Sequence, residues 1–279
     1  MQSFRQFLEE LEYSLHDHYK KHDNPDLTPD DVLKNFHPDI KSEIKTVQAY
    51  NDKLPSTHSM HTVKDKDGKP IYTRERRKLH NSIISHFLNP DDVKAASPEK
   101  GSKPKFVVLG GRGGSGKSAF TDGRIKEFDH KKFITIDSDK VKSMLPEYNG
   151  SNASQVHQES TDIVDRITDH ARRMKLNHIH DATLKTNKVE GDIIKSKEKG
   201  YSVEGHYMHV PREVSATRAV HRYLGKGKDQ RKRLVPLDII LSNTDNEHNF
   251  DKLRKHFDKW SAYDNNVPKG EAPRLIKRG

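Results

Sequence analysis

The run from Lys105 to Ser118 constrains this chain more than any other stretch. A short apolar segment, Lys105-Phe106-Val107-Val108-Leu109, breaks into Gly110-Gly111-Arg112-Gly113-Gly114-Ser115-Gly116-Lys117-Ser118. Gly111 to Ser118 fits the phosphate-binding pattern G-x-x-x-x-G-K-[S/T]. A strand leads in and a helical pattern, Ala119 to Phe128, leads out, which is the context such a loop requires. Glycines let backbone N–H groups turn inward around phosphate oxygens, and the N-terminus of the following helix adds partial positive charge. The pattern predicts that Gly111, Arg112, Gly113, Gly114, Ser115, Gly116, Lys117 and Ser118 bind ATP, with Lys117 on the β and γ phosphates and Ser118 on Mg²⁺.

The 279 residues are enough for one large α/β domain and an appendage. With 31% hydrophobic and 33% charged residues the core must be lean. The chain has no cysteine, which excludes disulfides, thiolate metal sites and cysteine nucleophiles and is compatible with a reducing cytoplasm. No apolar run is long enough to cross a membrane, and no secretory signal is apparent. Residues 1 to 70 carry 10 Lys and Arg against 13 Asp and Glu, whereas the whole chain has net charge +10, so the basic part is the part with the phosphate loop. A basic surface suits anionic substrates; a nucleic-acid partner is compatible with it but not required.

Residues 1 to 22 place Phe4, Phe7, Leu8, Leu11, Leu15 and Tyr19 at helical steps. Prolines 25, 29, 38, 55 and 70 then punctuate short helical fragments, and Asp65 to Pro70 reads as a turn or linker. A boundary near residue 70 therefore separates a small helical N-terminal segment, 1–70, from the main domain, 71–279. Beyond it, a helix over 73–88 precedes the loop strand, and further strands are expected at 132–136, 177–180 and 201–210. Helices are expected at 154–175, 187–199 and 211–223, and Trp260 to Tyr263 reads as a last strand. Alternating strands and helices predict an α/β fold, a parallel sheet covered by helices on both faces, with ligands at the carboxyl ends of the strands. The acidic and hydroxyl clusters Asp137-Ser138-Asp139 and Asp181-Ala182-Thr183 fall at such ends.

Phosphoryl transfer needs a nucleotide cradle, a metal, a proton acceptor and cations over the migrating group. Asp137 and Asp139 are candidates for the proton acceptor and equally for a helix N-cap. Arg222 and Arg233 bracket a Gly- and Lys-rich segment, Leu224 to Lys232, of the kind that closes as a lid and supplies arginine to the transition state. Glu159 reads either as a pocket acid or as an exposed residue, and Lys185, two residues past Thr183, as a substrate contact or an exposed lysine. His178-x-His180, with His206 and His209, reads as polar sheet residues rather than a metal site.

The spaced segments Gly111 to Ser118, "IDSD", "HDAT", "VPREVSATRAVHRY" and "RLVP" resemble the zeta-toxin family of P-loop kinases across about residues 72 to 265. The resemblance implies a kinase that phosphorylates a sugar hydroxyl of a nucleotide sugar such as UDP-N-acetylglucosamine. It places the phosphate lysine on Lys117, the general base on Asp139 and the two phosphate-clamping arginines on Arg222 and Arg233. Substrate-binding positions fall on Asp165, Asp181 and Thr183, where aspartates replace the family's two glutamates and Ala182 its glycine, so the acceptor pocket has an altered shape. It further implies an antitoxin partner, or an N-terminal segment that covers the cleft and inhibits the enzyme. The opening MQSFRQFLEE also resembles leader peptides of internal proteins of large tailed bacteriophages, cleaved after a Leu-x-Glu such as Leu8-Glu9-Glu10, which implies packaging in a virion and delivery to host cytoplasm. Two alternatives stay open: a nucleic-acid hydroxyl kinase, and a non-catalytic nucleotide-binding virion protein.

Overall fold

The structure is a computed structural model that describes residues 14–20, 23–126, 128–186, 188–225, 233–268 and 270–279. The leader-like opening and most of the lid segment, 226–232, lie outside the described residues.

Among these residues the chain begins with α1 (Leu15–Lys20), α2 (Pro29–Leu33), α3 (Pro38–Asn51) and α4 (Thr57–His61). Thr28 caps α2 in a reciprocal box with Asp31, and proline at the first turn of α2 and α3 presets the helical φ. Val32, Leu33 and Ile44 do not form a core of their own; they join one cluster with Ala216, Val220, Leu237 and Ile240 of the main fold. Next, β1 (Thr62–Lys64) and β2 (Pro70–Tyr72) form an antiparallel hairpin, so Asp65 to Lys69 is its turn, with Gly68 at φ 76°.

After α5 (Arg74–Phe87) and α6 (Pro90–Ala96) comes β3 (Lys105–Gly110), the strand that feeds the phosphate loop. The main fold continues with β4 (Ile134–Ile136), α7 (Ser138–Lys142), α8 (His157–Arg173), β5 (His178–Ala182), α9 (Lys188–Glu198), β6 (Ser202–His209) and α10 (Arg212–Tyr223). It closes with α11 (Leu237–Leu241), α12 (Asn246–Leu253), β7 (Lys259–Asp264) and β8 (Arg274–Arg278). The sheet order is β4-β5-β3-β6-β7-β8, with neighbouring strands parallel up to β7. β8 departs from the expected all-parallel sheet by pairing antiparallel with β7 at the edge.

Phe106, Val107, Val108 and Leu109 are each at most 1% exposed because both faces of β3 are covered, which is why the strand reads as an unbroken apolar run. Alternate residues serve opposite faces. Phe106 and Val108 pack with Ile193, Tyr207 and Phe250, while Val107 and Leu109 pack with Phe120, Ile179 and Met208. As expected, α5 seats Ile83, Ile84 and Phe87 against α8 and β4.

The helix expected over Ala119 to Phe128 is not formed. A four-residue 3₁₀ turn, Lys117–Phe120, is followed by irregular turns with Gly123 at φ 79°. Phe120 and Phe128 meet edge to face at 5.6 Å, and both contact the His206 ring. Eight residues of straight helix would hold those two rings about 12 Å apart, so this aromatic cluster folds the chain back instead.

Candidate phosphoryl-transfer site

The phosphate loop leaves the carboxyl end of β3 through backbone that side chains tolerate poorly. Gly114 and Gly116 have φ 88° and 87°, and a Cβ at Gly111 would collide with the Met208 carbonyl. Asn265, just past β7, donates from Nδ2 to the Ser115 carbonyl at 2.7 Å and pins the loop from two strands away.

Lys117 is 8% exposed; its ammonium donates to the carbonyls of Gly111 (2.6 Å) and Arg112 (3.1 Å) and pairs with Asp181 at 3.3 Å. Asp181 comes from the end of β5, one strand over from the loop. Burial raises its pKa, only partly countered by Lys117. From the end of β4, Asp137 caps α7 by accepting from the Asp139 amide at 2.8 Å, so the capping reading holds for this residue. Burial and the charges of Asp181 and Asp139 push it up to about 6.

Asp139 lies in the first turn of α7, with one carboxylate oxygen 3.2 Å from Lys142 and the other 3.0 Å from Arg233. Burial acts to raise its pKa, but Lys142, Arg233 and Arg222 outweigh it and hold the group below the ordinary carboxylate range. The structure therefore gathers Lys117, Asp137, Asp139, Asp181 and Arg233 at the carboxyl ends of three adjacent parallel strands, with Arg222 close enough to act on Asp139.

Other expected residues stand apart from this cluster or act differently. Asp165 is 43% exposed and paired with Lys188 at 2.8 Å. Thr183 is exposed, with its carbonyl accepting from Asn243, and Lys185 donates to the Ser242 hydroxyl at 3.0 Å. Ser118 is exposed and its hydroxyl accepts from Arg124 at 3.3 Å. The Arg112 side chain faces no phosphate: it is 2% exposed, bound to both oxygens of Glu247 and to Asp23, so only its backbone serves the loop.

Glu159 is corrected outright. It is fully buried, gripped by Arg76 at 2.5 and 2.8 Å and His80 at 2.6 Å, and is neither a pocket acid nor an exposed residue. Burial would raise its pKa, but these donors hold it at about 2. Its work is to join α5 to α8.

Sequence reading missed Arg124 and Arg218. Arg218 donates to the carbonyls of Gly114 (3.4 Å) and Asn265 (2.9 Å), and among the described residues no carboxylate lies within ion-pair distance of it. Burial and the nearby Arg124 lower its pKa by more than Asp264 raises it. Its spacing of four residues from Arg222 on one helix was the available signal.

His178 stacks on Phe106 and bonds the Leu176 carbonyl, His206 meets Ser261, and no cluster of metal-ligating side chains occurs among the described residues. A cavity of about 420 Å³ near Lys105, Lys132 and Glu204 lies at the amino ends of the strands, away from this chemistry.

A family model described as Zeta toxin matches residues 90–266, well over half of the chain. Among solved structures, one from the PezAT chromosomal toxin-antitoxin system of Streptococcus pneumoniae superposes with a TM-score of 0.56 at 20% identity, covering 75% of this chain and 81% of that one. The AvrRxo1-ORF1:AvrRxo1-ORF2 structure with sulphate ions gives a TM-score of 0.63 at 18% identity, covering 81% and 77%. The AvrRxo1-ORF1:-ORF2 structure with ATP gives 0.58 at 17%, with the same coverage of 81% and 77%. No curated protein sequence matches significantly.

Proposed function

This chain belongs to the zeta toxin family, and from that premise we propose that it is an ATP-dependent kinase that phosphorylates a hydroxyl of a nucleotide sugar such as UDP-N-acetylglucosamine. The observation that carries this reading is the meeting of Lys117, Asp139, Asp181 and Arg233 at the mouth of the phosphate loop. A scaffold that merely holds a nucleotide has no use for a half-buried carboxylate flanked by two cations beside that loop.

In the reaction, Asp139 accepts the proton as the acceptor oxygen attacks the γ-phosphorus, the bond to the bridging oxygen breaks, and ADP leaves. A depressed pKa keeps Asp139 ionised and ready to accept a hydrogen bond from the acceptor hydroxyl. Lys117 exchanges its carbonyl partners for the β and γ phosphates, and Arg233 turns from Asp139 to the migrating group, where planar guanidinium suits bidentate phosphate contact. Arg222 joins it from α10. Asp165, Thr183 and Lys185, which stand apart from the cluster, are proposed as contacts for the part of the acceptor remote from the reacting hydroxyl.

The exposed Ser118 hydroxyl fits Mg²⁺, which keeps several waters and needs only one or two protein oxygens; Ser118 would hold it. When bound, the ion neutralises charge on the phosphate oxygens. The solved neighbours come from toxin-antitoxin and ORF1:ORF2 assemblies, and an antitoxin-like protein partner is part of the proposal.

Purified protein is incubated with ATP, Mg²⁺ and a panel of nucleotide sugars, and the products are weighed by mass spectrometry. A mass gain of one phosphate on a nucleotide sugar is expected. Asp139→Asn should slow it by about 10²- to 10⁴-fold while ATP still binds. No phosphorylated product from any member of the panel overturns the reading.

A further inference from the structure

We propose that Asp23 is a positioning residue for nucleotide binding, and that residues 14–20, with Asp23 and Asn24, are a strap that holds the phosphate loop in its working shape. This rests on the ATP-binding reading of the loop and runs opposite to an inhibitory N-terminal segment.

The strap is tied down along its length. The Ser14 hydroxyl and the His16 amide donate to Asp251 of α12 at 3.2 and 3.1 Å. Leu15 is fully buried in the main core, and the Tyr19 ring stacks on His209, at the end of β6, at 3.3 Å and 10°. These contacts deliver Asp23 to a position between two buried guanidiniums.

One Asp23 oxygen accepts from Arg112 at 3.0 Å and from Arg212 Nε at 3.1 Å; the other accepts from the Arg212 amide at 2.9 Å. Arg112 is inside the phosphate loop, and Arg212 opens α10, the helix that carries Arg218 and Arg222. One carboxylate therefore joins the loop to that helix. The linkage extends to the loop lysine, because the Arg112 carbonyl accepts from both Lys117 Nζ and the Ser115 amide at 3.1 Å.

Charge balance makes the contact more than packing. Arg112 and Arg212 are 2% and 3% exposed, and the carboxylates that face them are Asp23 and Glu247. His209, beside Glu247, has its pKa lowered by burial and adds no cation at neutral pH, and the Tyr207 hydroxyl, its pKa raised by burial, adds no anion. Without Asp23, Arg112 keeps Glu247 but Arg212 is left with carbonyl partners among the described residues, and the tie between the loop and α10 is lost, so that both can shift from the geometry they hold together. Nucleotide affinity then falls by the fraction of time the loop keeps its binding shape.

The test uses the full-length chain with Asp23→Asn, Asp23→Glu and Tyr19→Ala. ATP affinity is measured by titration calorimetry at a temperature where circular dichroism shows each variant folded. A loop in its working shape about a tenth of the time raises the Kd for ATP about tenfold in Asp23→Asn. Asp23→Glu should recover most of that affinity, and Tyr19→Ala should weaken it in the same direction. A purely structural role would lower the melting temperature yet leave the folded protein's affinity unchanged. If Asp23→Asn does not fold, Tyr19→Ala decides. Wild-type affinity in folded Asp23→Asn, or in folded Tyr19→Ala where Asp23→Asn does not fold, overturns the strap proposal alone; a wild-type protein that binds no ATP overturns the kinase reading beneath it.

Discussion

Replacing Asp137 by Asn should stabilise this protein at neutral pH and not in acid. The carboxyl titrates near 3.8 unperturbed and is pushed to about 6 in the fold by burial and by Asp181 and Asp139. Below about pH 4 it is protonated in folded and unfolded chains alike. As pH rises toward 6 the unfolded chain releases its proton first, so folding loses stability across that window. Two pH units at 1.36 kcal/mol each give a loss of about 3 kcal/mol at pH 7 and above. Asn keeps the oxygen that accepts from the Asp139 amide, so the cap survives. It forfeits the attraction of a carboxylate for the helix N-terminus, about 0.3–1 kcal/mol. The net gain is about 2 kcal/mol, or roughly 4–8 °C in melting temperature for a chain of this size. Thermal melts of both proteins from pH 4 to 8 should show curves that coincide in acid and separate as pH rises through 6. A variant that melts lower at pH 7.5, or a gap independent of pH, would refute the assignment of repulsion to this carboxyl.

Glu159→Gln should cost about 3–5 kcal/mol, because it leaves Arg76 with a weakened partner inside the fold; urea unfolding measures it, and a loss below about 1 kcal/mol would show the network to be dispensable. Arg218→Ala should weaken ATP binding at least severalfold without changing the melting temperature of the ligand-free protein, since the guanidinium there has carbonyl partners only. Differential scanning fluorimetry with and without ATP checks both halves of that statement.

What the sequence displayed clearly was whatever a buried parallel strand writes into it. β3 is an apolar run ending in glycines, and β4 and β5 each end at or next to acidic residues of the cluster, Asp137 and Asp181. Lys117 was legible from its motif, Asp139 and Arg233 from the family resemblance, and the structure brings them together. α12 was not legible, because much of its buried face is polar: Asn246, Glu247 and Asn249 are all at most 7% exposed. Periodicity of apolar residues cannot report a helix that packs through hydrogen bonds. The same blindness hid Glu247 beneath Arg112, and the pairing of Glu159 with Arg76, whose partners are 83 residues apart. β8 reads as Arg-Leu-Ile-Lys-Arg, half exposed at an edge, where charge is what keeps a strand from recruiting another chain.

The abrupt four-residue turn that begins at Lys117 bears on how this loop can attract a polyanion. A long helix starting there would lend about half a positive charge through aligned peptide dipoles, at a fixed place and with no desolvation to overcome. A single tight turn offers little of that. The pull on a triphosphate comes instead from side-chain cations at the rim, and those act partly through water, where ions of the medium shield them over about 8 Å at physiological strength. Affinity in this protein is thereby coupled to the ionic composition around it, more closely than in a nucleotide site backed by a full helix.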